Sequence, residues 1–562
     1  MLAYLLYPIR LLIWALGNLT CRLRRPPDYV MFILDGEYPM IRQPSGNLIM
    51  RWLRPPRLSL QELAEQFHTV AADRRVRGVI LNIRQLSMPM AHLDSLRDMI
   101  KDLRAANKRV VVWSNHYNNT LYYLACAADD ILIAPGGLVD SLGLRRQYIY
   151  LADALSQIGL QVDVVPISAY KSAADMFTRN SMSEEVRAMA NWLADSTYGE
   201  IVRGVAEGRH VNEETARALI DQTPCTDTTA QQLGLINAIA TEEDLPTYVR
   251  GKQKAIRLAT WQVARLSLLR RPPLPTQRYI ALLSIEGSIV DGYSEHPPFK
   301  LPIPFVFNDR AGDLSVVQAA RQVLADPRAA AVVVYVDSGG GSATASEAMR
   351  AALIKVAAKK PLIVAMGAVA ASGGYWVSTP GSVIIAQPNT ITGSIGVLFG
   401  KIFNAGLMQK LLVNQETISR GKGAPLTDPE RPFSEEERAK IRMAIEEIYD
   451  MFLERVAASR KMTREAVHVI GAGRVWTGRQ ALANGLVDDM GGLWQATAKA
   501  RELAHLDERV PVHVIHPERQ YIAPLPDTAA ALAYAMKSVH LFNSHGVLCL
   551  CPWLWYEKGW PE

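Results

Sequence analysis

The stretch Ala368-Val369-Ala370-Ala371-Ser372-Gly373-Gly374-Tyr375-Trp376 governs how the rest of the chain is read. It follows the apolar run Leu362 to Met366 (LIVAM), which has the pattern of a buried strand, and Ser372 to Thr379 reads as the next helix. Ser372 therefore stands at a helix start. There, backbone N–H groups are free to point at an anion and the helix dipole adds to their pull. A phosphate cradle and an oxyanion hole beside a hydroxyl nucleophile both need such a turn. The phosphate reading lacks its usual companions, since no Gly-Lys-Ser/Thr follows and no GxGxxG is present. A lipase-type elbow is absent too, because Ala370 stands where G-x-S-x-G requires glycine.

Working outward, the same pattern occurs twice. Val79 to Ile83 (VILNI) matches Val332 to Val336 (VVVYV), and Pro135, Ser141 and Gly143 match Pro388, Ser394 and Gly396, all at an offset of 253 residues. Further on, the offset becomes 251: Ser183-Glu184-Glu185 matches Ser434-Glu435-Glu436, and Gly234-Leu235 matches Gly485-Leu486. This is the trace of a duplication with one small deletion. At offset 253 the counterpart of Ser372 is Asn119, which has no hydroxyl. One copy keeps a nucleophile and the other has lost it. In the second copy Ile280 to Ile285, Val332 to Val336, Leu362 to Met366 and Val383 to Ala386 read as apolar strands, with helices over Ser342 to Ala358 and Ser372 to Thr379 between them. Buried strands separated by helices predict a parallel α/β sheet covered on both faces. Ser434-Glu-Glu-Glu is a capping signature for a long helix to Arg460.

Bulk properties agree with two domains. A chain of 562 residues exceeds one ordinary domain, and two of about 250 residues fit it. A composition of 49% hydrophobic and 21% charged residues is that of a folded protein. A net charge of +6 is too dilute to argue for nucleic acid. The five cysteines are scattered and odd in number, so no disulfide framework follows. Cys549-x-Cys551 lacks the spacing of a zinc site; neither metal nor cofactor is expected. Residues 1–26 read as a membrane anchor: Leu2 to Leu19 is apolar except for Arg10, and Arg22, Arg24 and Arg25 follow. An uncleaved anchor or an interfacial helix fits better than a cleaved signal, and a helix packed on the domain is the plain alternative. Residues 27–262 form the first repeat and 263–515 the second, with Arg270-Arg271-Pro272-Pro273-Leu274-Pro275 at the junction. A tail, 516–562, holds Trp553, Trp555, Tyr556 and Trp560, which suit a membrane interface or a subunit contact.

Chemistry needs a base for Ser372, and none of the eleven histidines lies near the glycine turns. A buried lysine is the known substitute. Both copies supply one: Ile167-Ser168-Ala169-Tyr170-Lys171-Ser172-Ala173 matches Ile418-Ser419-Arg420-Gly421-Lys422-Gly423-Ala424. Gly373 and the turn Ser338-Gly339-Gly340-Gly341 offer N–H donors for an oxyanion.

The set VDSGGGSATASEAMR, MGAVAASGGYWVSTP and PNTITGSIGV, with ISAYKSAADMFTRNSMS upstream, resembles the signal peptide peptidase A (protease IV) family in its tandem-repeat form, over about residues 50 to 505. The resemblance implies two ClpP/crotonase-like domains of repeated ββα units after an N-terminal membrane-associated helix. It implies a Ser–Lys dyad peptidase for signal peptides and other short apolar peptides, with Ser372 as nucleophile and Lys171 as base. Ser394 would orient the lysine, and Gly373 and Gly340 would bind the oxyanion. It further implies a homo-oligomer, here a tetramer, at the bacterial inner membrane with its domains on the periplasmic or outer side; the arginines after the anchor favour the opposite orientation. One departure is Gly339, where the family has proline. Lys422 is the alternative base in the same repeat as Ser372; the lysine of the first repeat is preferred because short relatives are thought to lend theirs across a subunit boundary. Two rival readings are an inactive membrane scaffold of the same fold and a crotonase-type acyl-CoA enzyme.

Overall fold

The computed structural model describes residues 2–43, 57–251, 255–274, 277–297, 308–521 and 547–551. It separates into two compact units, and the division differs from the one the sequence suggests. The first unit holds Met1–Arg145 and Thr197–Arg278, and the second holds Arg146–Ser196 and Tyr279–Glu562. The junction expected near residues 270–275 lies close to the observed one. Residues 27–262, read from the sequence as the first repeat, are divided between the units: Arg146–Ser196 falls in the second. The physical cause is strand pairing, since Gln161–Pro166 runs antiparallel to Leu398–Phe403 along its whole length. Trp192 Nε1 adds a hydrogen bond to the Val475 carbonyl at 2.9 Å, and Ser196 one to Thr477 at 2.7 Å.

Each unit is built on a mostly parallel sheet with the same order of strands. In the first, that order is Cys225–Thr226, Asp130–Val139, Arg109–Tyr117, Gly78–Leu86, Tyr29–Gly36 and Leu258–Thr260. In the second it is Val475–Thr477, Ile391–Gly393, Leu362–Ala371, Ala329–Ser338, Tyr279–Glu286 and Val512–Ile515. The central strands are apolar on both faces because helices cover both, which is why they read as continuous runs rather than alternations. The helix Ala343–Ala357 is capped by Ser342, whose Oγ accepts from Ala345 N, and Glu435–Arg460 starts at a capping box formed by Ser434 and Glu437. Both starts were legible from the residue pattern.

The second unit carries another sheet, mixed and eight-stranded. Its order is Arg519–Tyr521, Ser294–His296, Arg310–Gly312, Ser288–Val290, Gly340–Ser342, Val547–Leu550, Leu398–Phe403 and Gln161–Pro166. Val547–Leu550 is thus an interior strand. Within the tail read as 516–562, Leu548, Cys549, Leu550 and Cys551 are buried in their own unit. Trp553, Trp555, Tyr556 and Trp560 lie outside the described residues.

The N-terminal expectation is also revised. Leu2–Leu23 is one helix, but no helix among the described residues is long and apolar enough to cross a membrane. One side of it is bound within the first unit. Asn18 exchanges two hydrogen bonds with the Arg270 backbone, at 2.8 and 2.9 Å, and Trp14 Nε1 donates to the Arg270 carbonyl at 2.7 Å. Ile9, Leu12, Ile13, Leu16, Leu19 and Leu23 are exposed, and their three- and four-residue spacing puts them along one stripe.

Candidate active site

Ser372 sits where the strand Leu362–Ala371 passes into the short helix Gly373–Ser378. Its φ is 56° and its ψ −116°, a conformation that costs a non-glycine residue about 1–3 kcal/mol. The surroundings hold it there. Ser372 N donates to the Gly393 carbonyl at 2.8 Å, and Trp376 N donates to the Ser372 carbonyl at 2.9 Å. Trp376 stacks on Phe452 with ring centroids 4.3 Å apart and donates to Glu347 at 2.7 Å, while Tyr375 OH binds the Leu486 carbonyl at 2.8 Å. The result leaves the Ser372 hydroxyl free of any capping bond. The first unit lacks this device. Its matching helix, Asn119–Ala125, starts at Asn118 with φ −84°, and the Asn118 side chain is spent as an ordinary cap on Leu121 N. Asn119 instead accepts from Gly143 N at 3.3 Å. By sequence offset or by helix start, an asparagine stands in the place of the serine.

Lys171, Ser372 and Ser394 meet. Lys171 Nζ donates to Ser372 Oγ at 2.7 Å, to Ser394 Oγ at 3.0 Å and to the Ser394 carbonyl at 2.9 Å. All three residues are buried. Burial pushes the Lys171 amine down to about 8, and the neighbouring Cys549 and Cys551 thiols oppose that shift. The lysine is aimed by its loop: Ser168 Oγ donates to the Ala472 carbonyl, and the Tyr170 ring lies under the Arg474 guanidinium, 4.1 Å from centroid to Cζ. Gly473 has φ +86°, and a Cβ there would fall 2.6 Å from Lys171 N and 2.8 Å from Lys171 Cβ. A glycine is needed for this approach, on grounds of both conformation and space. Ser394 is likewise at positive φ, 50°, with its N–H on the Arg474 carbonyl at 2.6 Å.

The glycine turn is arranged differently from the expectation. Gly340 N donates to Ser338 Oγ at 3.1 Å, so that N–H is already engaged. What Gly340 provides is room: at φ +98°, a Cβ on it would lie 2.7 Å from Gly373 N and 1.9 Å from the Cys549 carbonyl oxygen. Lys422, the alternative base, lies on an exposed stretch. Gly473 and Cys549 were not foreseen as parts of the site. A hydroxyl beside an amine whose proton burial loosens, next to helix-start N–H groups, can attack a carbonyl and shelter the oxyanion that forms.

Comparison with known proteins supports a peptidase. The model of Peptidase family S49 matches residues 102–255 and 354–507, once in each half. The chain is similar to Protease 4 of Salmonella typhi, 31% identical over 80% of this chain and 73% of that protein. It is also similar to Protease 4 of Haemophilus influenzae, 30% identical over 80% and 74%. The chloroplastic serine protease SPPA of Arabidopsis thaliana is 30% identical over 86% of this chain and 71% of its own length.

Proposed function

The chain belongs to peptidase family S49, and from that premise we propose that it is a serine endopeptidase working through a Ser372–Lys171 dyad on short apolar peptides, released signal peptides among them. The reading is carried by the 2.7 Å hydrogen bond from Lys171 Nζ to Ser372 Oγ in a buried setting. With its amine neutral, Lys171 keeps two N–H bonds to Ser394 and turns its lone pair to the Ser372 proton. Oγ attacks the peptide carbonyl, the lysine takes the proton and then gives it to the departing amine, and an acyl-enzyme remains. Water activated by the same amine releases the acid. Gly373 N–H donates to the oxyanion, in the space left by the missing side chain of Gly340. Ser394 is a positioning residue that holds the amine. The apolar stripe of Leu2–Leu23 rests in the surface layer of a membrane with its arginines at the headgroups, and tandem chains assemble as a tetramer.

The test is cleavage of casein and of an apolar peptide by the wild type and by Ser372→Ala. The hydroxyl makes no capping bond, so the variant folds normally, and its activity falls by roughly a million-fold. A well-folded variant that keeps a tenth of the activity or more sinks the assignment.

A further inference from the structure

Nothing in a peptidase requires its own chain to cover its nucleophile, yet here a strand does. We propose that Val547–Cys551 is an internal occupant of the substrate cleft, and that it must leave before a peptide can reach Ser372. The inference rests on the peptidase reading of that site. Three observations point to it.

The first is pairing. Val547–Leu550 lies between two strands and is antiparallel to both, with Gly341 opposite Cys549, Ser342 opposite Leu548, and Leu398 opposite Leu548 on the other side. Cys551 N adds a bond to the Gly339 carbonyl at 2.7 Å. Neighbouring strands lie about 4.8 Å apart, so the slot between Gly340–Ser342 and Leu398–Phe403 is one strand wide. An extended peptide entering it would gain the same main-chain bonds, as in other strand-addition complexes. Both cannot occupy the slot together.

The second is position on the catalytic groups. The Cys549 carbonyl oxygen lies beside Gly340 and Gly373 N, where an oxyanion would be received. Ser394 Oγ donates to the Leu550 carbonyl at 3.4 Å. The Cys549 thiol and the Lys171 amine each shift the other's ionisation, which puts that side chain against the dyad. A side chain held there fits an occupant that blocks attack. Burial pushes that thiol up to about 12, so it stays neutral and does not replace the serine as nucleophile.

The third is closure. Ser372 and Ser394 are 0% exposed and Lys171 is 2% exposed with the strand in place, which leaves no path for a substrate. The strand is seated by aliphatic contacts rather than covalent ones: Leu548 and Leu550 pack with Ala173 and Leu398, and Cys551 belongs to the cluster of Val186, Met189 and Leu193. A peptide of the same character, with aliphatic side chains at alternate positions and a small residue between them, would compete for it.

The experiment uses the full chain carrying Leu548→Asp and Leu550→Asp, which puts charges into the seat. Labelling of Ser372 by a short alkyl fluorophosphonate reports access without peptide hydrolysis. We expect the variant to label and to cleave an apolar peptide at least tenfold faster than the wild type. Added blocked peptide of the sequence Val-Leu-Cys-Leu-Cys should slow it again. Equal rates in the two chains, or a variant indifferent to the peptide, overturn the proposal. Since the double variant could fail to fold, amide exchange in full-length Ser372→Ala provides a second measurement. A bound apolar peptide should speed exchange at 547–551; a bound peptide that leaves those amides protected also refutes the occupant. Faster labelling without any hydrolysis would remove the peptidase reading and keep the occupant, whereas fast hydrolysis by the wild type with 547–551 protected would do the reverse. Labelling of neither chain would overturn both.

Discussion

The depressed lysine makes a quantitative demand on the pH dependence of turnover. The value of kcat reports ionisations in the enzyme–substrate complex, where a peptide strand shields Lys171 as Val547–Cys551 does in the structure. Only the neutral amine accepts the Ser372 proton. With Lys171 near 8, the neutral fraction is about 1% at pH 6, about 10% at pH 7 and about 90% at pH 9. Raising the pH from 6 to 9 at saturating peptide should thus increase kcat by about 90-fold, with a bend near 8 and little gain above 9. A solvated lysine, ordinarily at about 10.4, would give a thousand-fold rise over the same span and no bend. Stopped assays with a fluorogenic apolar peptide at half-unit intervals would separate the two. Stability has the matching sign. The folded value lies below the unfolded one, so between about 8 and 10.5 Lys171 binds more protons in the unfolded chain and contributes a rise in stability with pH of about 3 kcal/mol, against the opposite contributions of buried tyrosines such as Tyr117 and Tyr335. Urea unfolding of the wild type against Lys171→Met should show that contribution as the difference between the two pH profiles. A flat kcat profile, or a rise that continues tenfold per unit beyond pH 9, would refute the reasoning.

The remaining predictions concern which groups matter. Lys171→Ala should be as inactive as Ser372→Ala in peptide cleavage, while Lys422→Ala, at an exposed position, keeps most of the activity; the opposite result would mean that the second repeat uses its own lysine. Gly473→Ala should fold but lose at least a hundredfold in kcat with a smaller change in KM, because a methyl group there meets Lys171 N at 2.6 Å; unchanged kcat would show that the loop adjusts freely. Replacing Leu12, Leu16 and Leu19 together by Asp should release the protein from sedimented lipid vesicles without lowering peptidase activity in solution, since all three side chains face outward; sedimentation unchanged by the substitutions would remove the membrane role of the helix.

Much of the fold was readable because its strands are apolar on both faces and its helices begin at strong caps. Val383–Ala386 matches its expected bounds, and Ser342 and Ser434 cap the helices that the pattern placed after them. Ser372 stood out as a hydroxyl at a helix start whose counterpart is asparagine. Several features were not legible. The domain exchange of Arg146–Ser196 is a matter of long-range pairing, and Gln161–Pro166 reads locally like any strand of the first repeat. Cys549-x-Cys551 was set aside for lacking the spacing of a zinc site, since nothing in a thiol's neighbours along the chain reveals a serine far away in sequence. Gly473 sits in Gly471-Ala472-Gly473, an unremarked turn whose purpose appears once Lys171 is packed against it. The N-terminal helix was read as an anchor because its hydrophobicity was seen without the hydrogen bonds of Trp14 and Asn18 to Arg270.

The crossing of Arg146–Ser196 into the second unit also sets a timetable. Lys171 is synthesised 201 residues before the serine it meets, and chains leave the ribosome from the N-terminus onward. A nascent polypeptide that already carries the lysine has nothing to activate, and one interrupted before residue 372 has no nucleophile. The residues from 279 onward, expressed alone, would contain the serine without its base. On the proposed dyad, the woven connection keeps the machinery inert during its own manufacture and ties proteolysis to the arrival of the second half.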